Sequence, residues 1–168
     1  PYLLTARYAV SPTVAGLSLT GGALAWSIAA TVQGRMSTRL PSAVAVRIGT
    51  ILVAAGVALT LAAAALAAPV ASIVVAWVVA GAGMGLMSPR TSALTLEMSA
   101  PENQGFNSSA MSVADSFGSA LALAITGVLF TGVVAVADPF VIVFVFAGIL
   151  APTCSACLVE GRLRAALG

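Results

Sequence analysis

The sequence predicts an all-α, polytopic membrane protein, and its composition and charge distribution carry this prediction. Apolar residues make up 60% of the 168 residues and charged residues only 7%, with a mean hydropathy of +1.10. An ordinary soluble domain carries about 25% charged residues, so this chain cannot cover a water-facing surface. No charged residue occurs between Ile48 and Pro89, a stretch long enough for two crossings at about 20 residues each. The expected partner of most of its surface is therefore the lipid bilayer.

Proline and serine residues mark the starts of five predicted membrane-spanning helices. Proline fits the first turn of a helix but not its interior, and it marks four helix starts, at Ser11-Pro12, Pro41-Ser42, Ala68-Pro69 and Asp138-Pro139. The remaining start has the pattern of a capping box, with Ser99 at the cap and Glu102 reaching back. The predicted helices cover about residues 12–33, 42–67, 70–98, 101–131 and 139–158.

The arginines predict how these helices are oriented. Six of the seven arginines fall on one side of the five crossings, and the positive-inside rule makes that side cytoplasmic. They are Arg35, Arg39, Arg47, Arg90, Arg162 and Arg164. Arg7 lies at the opposite side. We therefore expect a multi-pass protein with a cytoplasmic C-terminus, and because the chain begins at Pro1 we expect it to be a fragment of a longer one.

The composition also excludes several classes of function. A net charge of +2 does not provide the basic stripe of a nucleic-acid binder. Histidine, the commonest zinc ligand and general base, is absent, and two cysteines are too few for a disulfide scaffold. The run Gly81–Gly85 has no strand before it, as a nucleotide-binding loop would need. We therefore expect no enzyme activity, no metal site and no nucleic-acid partner.

Asp115 is the ionisable residue that most needs an explanation. It lies 13 residues after Glu102, which is about 20 Å along the fourth helix and close to the membrane midplane. Ser112, Ser116 and Ser119 lie at helical spacing near it. A charge at this depth costs roughly 2.5–3.5 kcal/mol on insertion scales. Two roles are open: a proton-coupling group in a water-accessible pathway, or a structural carboxylate paired to a neighbouring helix.

Arg90 is predicted to lie at nearly the same depth as Asp115. It precedes Ser99 by nine residues, which places it about 14 Å from the same turn. Helices joined by so short a turn should be antiparallel neighbours, so we hypothesise an Arg90–Asp115 pair that breaks or reforms on protonation. The alternative is that Arg90 snorkels toward the lipid head groups. Glu97 is nearer the cytoplasmic end and is either interfacial or a coupling residue.

Small and aromatic residues indicate where helices pack and where a cavity could lie. Small residues let membrane helices approach closely, and a proline adds a kink that could also bend during transport. The candidate packing residues are Gly81, Gly83, Gly85, Pro89 and Gly118. Trp26 and Trp77 lie in mid-span rather than at the membrane boundary, which favours packing for both. The candidate residues of a substrate cavity are Trp26, Ser112 and Ser116.

Several stretches resemble the C-terminal half of major facilitator superfamily transporters. They are Gly81–Pro89, Leu96–Gly105, Ser108–Ala110 and Ala114–Gly118. The branch that they resemble most is the drug:proton antiporters, in which a G-x-G-x-G…P helix precedes a P-x-x-x-G turn and a helix with small residues. Gly34–Pro41 is similar to the family's cytoplasmic G-x-x-x-D-R-x-G loop, with Thr38 in place of its Asp and Pro41 in place of its last Gly.

The resemblance implies that the five helices form most of the C-terminal six-helix bundle of a major facilitator fold. Residues 1–10 would then be the extracellular approach from a missing helix, and the missing N-terminal half of the same chain would complete the cavity. Two such bundles rock about that cavity, opening it alternately to each side. Candidate residues for gating at the cytoplasmic loop are Gly34, Arg35, Arg39 and Glu97.

The predicted function is that of a proton-coupled secondary transporter that exports small amphipathic compounds or drugs. Asp115 and Arg90 would couple the proton to rocking, and the proton is the coupling ion, with no other cofactor expected. A composition rich in Ala, Val and Arg without Lys suits a GC-rich bacterial source, hence a bacterial plasma membrane. Two alternatives are an importer of metabolites from the same superfamily and a non-transporting membrane scaffold or sensor module.

Overall fold

Four long helices make up most of the described structure. The computed structural model describes residues 4–5, 8–36 and 39–133. The four helices are α1 (Pro12–Arg35), α2 (Ser42–Ala65), α3 (Val70–Glu97) and α4 (Gln104–Val133). Each is long and apolar enough to cross a membrane, α4 together with a preceding 3₁₀ turn over Pro101–Asn103. The predicted fifth helix, 139–158, lies outside the described residues, as do Arg7, Arg162 and Arg164.

The surface of these helices is apolar, as a membrane protein requires. Large side chains such as Leu17 (62%), Ile28 (63%) and Val113 (68%) are exposed, whereas completely buried positions such as Ala45 and Ala64 hold small residues. In water an apolar surface of this kind would promote aggregation. In lipid it is well solvated, and helices associate through close packing of small residues. The described chain is thus built as a multi-pass membrane protein.

Proline determines where three of the helices begin. Pro12 occupies the first turn of α1, where no N–H is needed, and the Ser11 hydroxyl accepts a hydrogen bond from the N–H of Val14 at 3.4 Å. α2 and α3 follow Pro41 and Pro69, which have extended backbone angles and provide no side-chain cap. The starts of α2 and α3 therefore depend on the fixed φ of proline and not on capping side chains.

α2 ends at Ala65, two residues before the predicted limit, because the chain turns back in a Schellman motif. The N–H of Ala68 donates to the carbonyl of Ala63 at 2.9 Å, and that of Ala67 to the carbonyl of Ala64 at 3.4 Å. Ala67 has a φ of 47°, in the left-handed region where this motif usually has glycine. The prediction extended the helix through these alanines because none of them breaks a helix.

The predicted capping box at Ser99 is wrong. The Ser99 hydroxyl donates to the carbonyl of Thr95 and accepts a hydrogen bond from Nδ2 of Asn107 at 2.7 Å. It therefore belongs to the end of α3, while Ala100 precedes the 3₁₀ turn and makes no side-chain cap. Pro101 explains the difference, because it needs no cap at its nitrogen and holds the residue before it in extended backbone. The glutamate of the predicted box is exposed.

α3 lies between α1 and α2 and packs against both through glycine. A Cβ built on Gly83 would lie 2.6 Å from the carbonyl oxygen of Gly49 in α2, and one on Gly49 would lie 2.7 Å from that of Gly83. Toward α1, a Cβ on Gly81 would overlap the carbonyl oxygen of Gly22. Only glycine allows backbones to approach this closely.

The connections α1–α2 and α3–α4 lie at the same end of the bundle. Contacts advance together along α1 and α3, from Gly22–Gly81 to Trp26–Gly85, so these two helices are parallel. α2 runs in the opposite direction, since its later residues contact earlier residues of α3. The end where α1 finishes at Arg35 is termed the arginine-rich end.

α4 contacts α3 near their connecting turn. Besides the bond from Asn107 to Ser99, the Thr95 hydroxyl donates to Sδ of Met111 at 3.4 Å. These contacts set an antiparallel register that places Asp115 one turn farther, at the level of Thr91. The apolar window of α4 contains no buried residue. The helix is therefore joined to the rest of the described chain mainly at one end.

Candidate functional site

Arg90 is buried between α3 and the start of α2, with 8% of its surface exposed. It follows Pro89 and lies two turns beyond Gly83 on the face of α3 that contacts α2. Its Nη1 donates to the hydroxyl of Ser42 at 3.3 Å, and its Nη2 donates to the carbonyl oxygen of Leu40 at 3.2 Å. Hydrogen bonds of this kind offset the desolvation of a buried cation. The guanidinium group thus joins α3 to the α1–α2 connection.

Asp115 is exposed in the membrane-spanning part of α4. Asp115 lies opposite Thr91, which is about 12 Å from Ser99 along α3. This places Asp115 inside the candidate span Pro101–Gly132. Ser112 and Ser116 are exposed near it, and the Ser112 hydroxyl donates to a carbonyl of its own helix at 3.1 Å. Ser112, Asp115 and Ser116 together are termed the polar face of α4. A carboxylate on this face requires contact with water or polar groups to offset its insertion cost.

The structure gives the hypothesised Arg90–Asp115 pair no support. The two residues lie at nearly the same depth, but Arg90 donates to Ser42 and Leu40 while Asp115 is exposed. The reason is that α3 turns the face carrying Arg90 toward α2 and meets α4 through Thr95 near the turn. The guanidinium extends toward the α1–α2 connection at the arginine-rich end, as snorkelling predicts, but it is buried and bonds to Ser42 and Leu40 instead of lipid head groups.

The predicted loop and gating residues lie at the arginine-rich end, where they are exposed. They are Gly34, Arg35, Arg39 and Glu97. The α1–α2 connection includes residues 37–38, which lie outside the described residues. On either side of them, the N–H groups of Arg39 and Leu40 donate to the carbonyl of Met36 at 3.0 and 2.9 Å. This turn directs the carbonyl of Leu40 toward Arg90.

Trp26, the predicted cavity residue, lines an apolar groove between α1 and α3. The groove has a volume of about 380 Å³, and its lining residues are Leu19, Gly22, Ala23, Trp26, Trp77, Ala80, Gly81 and Met84. Trp26 and Trp77 are 41% and 42% exposed as whole residues. The volume falls within the range of small-molecule sites. Ser112 and Ser116, the other cavity candidates, do not line this groove.

The five predicted packing residues differ in their surroundings. Gly81 and Gly83 lie at the contacts with α1 and α2, and a Cβ on Gly85 would lie 2.8 Å from Cβ of Ala29 in α1. Pro89 lies inside α3 and is exposed. A Cβ on Gly118 would meet no atom of the described chain within 4 Å.

Sequence reasoning missed the partners of these glycines and one buried polar residue. Gly22 opposes Gly81 and Gly49 opposes Gly83, while a Cβ on Gly56 would lie 2.7 Å from the carbonyl oxygen of Ala76. Gly49 and Gly56 are two turns apart, and this spacing of small residues was the available signal. Gln33, in α1, is only 5% exposed; a lone amide in an apolar helix was its signal.

The spans and their packing define the class of protein. It is a polytopic membrane protein whose helices associate through small residues and bury an arginine at one end. The family model of the Major Facilitator Superfamily matches residues 1–164, and the chain therefore belongs to this superfamily. This match confirms the superfamily membership predicted from the motifs. Members of the superfamily are secondary transporters. The comparisons with curated proteins and with solved structures found no match.

Proposed function

We propose that this chain is part of a proton-coupled transporter that exports small amphipathic compounds by alternating access. Asp115 binds the coupling proton. The observation that carries the proposal is a carboxylate on the exposed polar face of α4, within a span long and apolar enough to cross the membrane. Intramembrane carboxylates mark ion and proton pathways because their insertion cost requires a function.

Protonation of Asp115 supplies the energetic link between the proton gradient and rocking. The charged carboxylate favours the conformation in which water reaches the polar face of α4. The neutral acid tolerates the conformation in which that face is closed off from water, since a neutral group costs less to desolvate. A proton gradient then shifts the population between the two conformations by this difference in proton affinity.

The groove between α1 and α3 supports the choice of amphipathic compounds. Its lining is almost entirely apolar and includes the two indoles of Trp26 and Trp77. Aromatic faces attract both apolar rings and organic cations. The proposed arrangement in a bacterial plasma membrane has the arginine-rich end in the cytoplasm, following the positive-inside rule. The rest of the transporter completes the cavity.

The proton-coupling role is tested by Asp115→Asn in the intact protein, with ethidium as the transported probe. In inverted vesicles energised with a proton gradient, we expect loss of ethidium accumulation while movement down its own gradient persists. Glu102→Gln is the matched control, since it removes a carboxylate from the exposed 3₁₀ turn that precedes α4. Proton-driven accumulation at the wild-type level in Asp115→Asn would contradict the proposal.

The substrate class is tested separately at Trp26. Replacing the indole by alanine removes an aromatic contact worth about 1 kcal/mol, so we expect the KM for ethidium to rise about five-fold. Trp26→Phe keeps an aromatic face and should retain most of the affinity. Equal KM values for wild type, Trp26→Phe and Trp26→Ala would remove the groove from the proposed binding site.

A further inference from the structure

The side chain of Arg90 fastens the α1–α2 connection to α3. The carbonyl of Leu40 directly precedes Pro41, which starts α2 without a side-chain cap. That carbonyl accepts a hydrogen bond from Nη2 of Arg90, and Nη1 of the same guanidinium donates to Ser42, the first residue of α2. Arg90 therefore holds both sides of the junction between connection and helix.

Arg90 directly follows Pro89, a position where α3 can bend. Pro89 lies inside α3 and has no N–H, so the carbonyl of Gly85 receives no helical hydrogen bond from it. Helices kink at such positions because the ladder of backbone bonds is interrupted. Arg90 is the first residue beyond the interruption and belongs to the last segment of α3, which runs to Glu97.

We infer that Arg90 is a strut that makes the α1–α2 connection and the last segment of α3 move as one body. When α3 bends at Pro89, the hydrogen bonds to Leu40 and Ser42 carry the connection and the start of α2 along with that segment. A guanidinium suits this role because its planar fork of donors serves two acceptors at once, which a lysine ammonium on a flexible stem does less well. The inference depends on neither the substrate nor the coupling ion.

Distances between spin labels in the intact protein, reconstituted in lipid, test the strut. Labels are attached at Arg39→Cys in the connection and Glu97→Cys at the end of α3, both exposed positions, with Cys154 and Cys157 replaced by serine. We expect a narrow distance distribution in this parent and loss of the narrow peak in Arg90→Gln. Arg47→Gln, which removes an exposed arginine of α2, is the matched control and should keep the parental width.

A second substitution separates the strut from general destabilisation. Ser42→Ala removes one acceptor and should broaden the distribution in the parent, but it should add nothing in the Arg90→Gln background, because the bond is already lost. Equal widths for Arg90→Gln and Arg47→Gln would overturn the inference, as would additive effects of Arg90→Gln and Ser42→Ala. If Arg90→Gln does not fold, Ser42→Ala decides alone, and an unchanged width then overturns the inference.

Discussion

Replacing Gly83 by alanine tests how closely α2 and α3 pack. The added Cβ would lie 2.6 Å from the carbonyl oxygen of Gly49, 2.8 Å from the nitrogen of Val53 and 2.9 Å from Cβ of Leu52. The first two atoms belong to the backbone and cannot rotate away. Because non-bonded heavy atoms pack best at about 3.5 Å, the two helices must separate locally by close to 1 Å.

The free energy of unfolding should fall by about 1–2 kcal/mol in Gly83→Ala. Overpacking a close contact costs about 1–3 kcal/mol, and alanine recovers up to about 1 kcal/mol through its higher helix propensity. Gly118→Ala is the matched control, because a Cβ there meets no described atom within 4 Å. The control has only the favourable propensity difference, so it should be neutral or more stable by up to about 1 kcal/mol.

Reversible unfolding in mixed detergent micelles measures both variants in the same assay. If Gly83→Ala unfolds with the same free energy as Gly118→Ala, the close approach of α2 and α3 is refuted. A double-mutant cycle with Gly49→Ala sharpens the test, since Gly49 and Gly83 oppose each other's carbonyl oxygens. Once one alanine has separated the helices, the second should cost less than it does alone.

Three further substitutions test other contacts. Ala67→Gly removes the cost of a left-handed alanine, roughly 1–2 kcal/mol, but the glycine makes the unfolded chain more favourable by about 0.4–1 kcal/mol through its entropy. Unfolding experiments should therefore show that the free energy of unfolding rises by about 0.5–1 kcal/mol. A fall in this free energy would contradict the Schellman turn. Asn107→Ala removes the 2.7 Å bond that joins α4 to the end of α3, and unfolding should become easier by about 1 kcal/mol; wild-type stability would mean that this bond is not needed. Gly22→Ala brings a Cβ to 2.7 Å from Nε1 of the Trp77 indole, a side chain that can turn away, so it should cost less than Gly83→Ala and change the Trp77 emission in a Trp26→Phe background. Unchanged emission would place that indole elsewhere.

The spans could be predicted from the sequence because a bilayer allows few solutions. An apolar core of about 30 Å fixes helix length, and every backbone group has to be satisfied within the helix. Proline then left little freedom in where α1, α2 and α3 begin. The Schellman turn at Ala67 escaped prediction because its left-handed residue is an alanine, which carries none of the turn signal of glycine.

The contacts of Arg90 could not be predicted, although its depth could. A rise of 1.5 Å per residue gives the level of a side chain along its helix, and the short α3–α4 turn correctly set Arg90 and Asp115 at similar levels. The direction of a side chain depends on which neighbour covers each face. α3 is apolar nearly all round, so its sequence does not distinguish the face that meets α2 from the face nearer α4. Only the packing of Gly83 against Gly49 assigns that face.

The central position of α3 has a consequence for how the protein is made. In the described part of the chain, α1 and α2 make few contacts with each other, and each packs instead against α3. During synthesis α1 and α2 leave the ribosome before α3, so this pair enters the membrane without the helix that covers its glycine surfaces. Native association starts only when α3 arrives and inserts between them. A ribosome stalled before α3 should hold α1 and α2 without their native contacts.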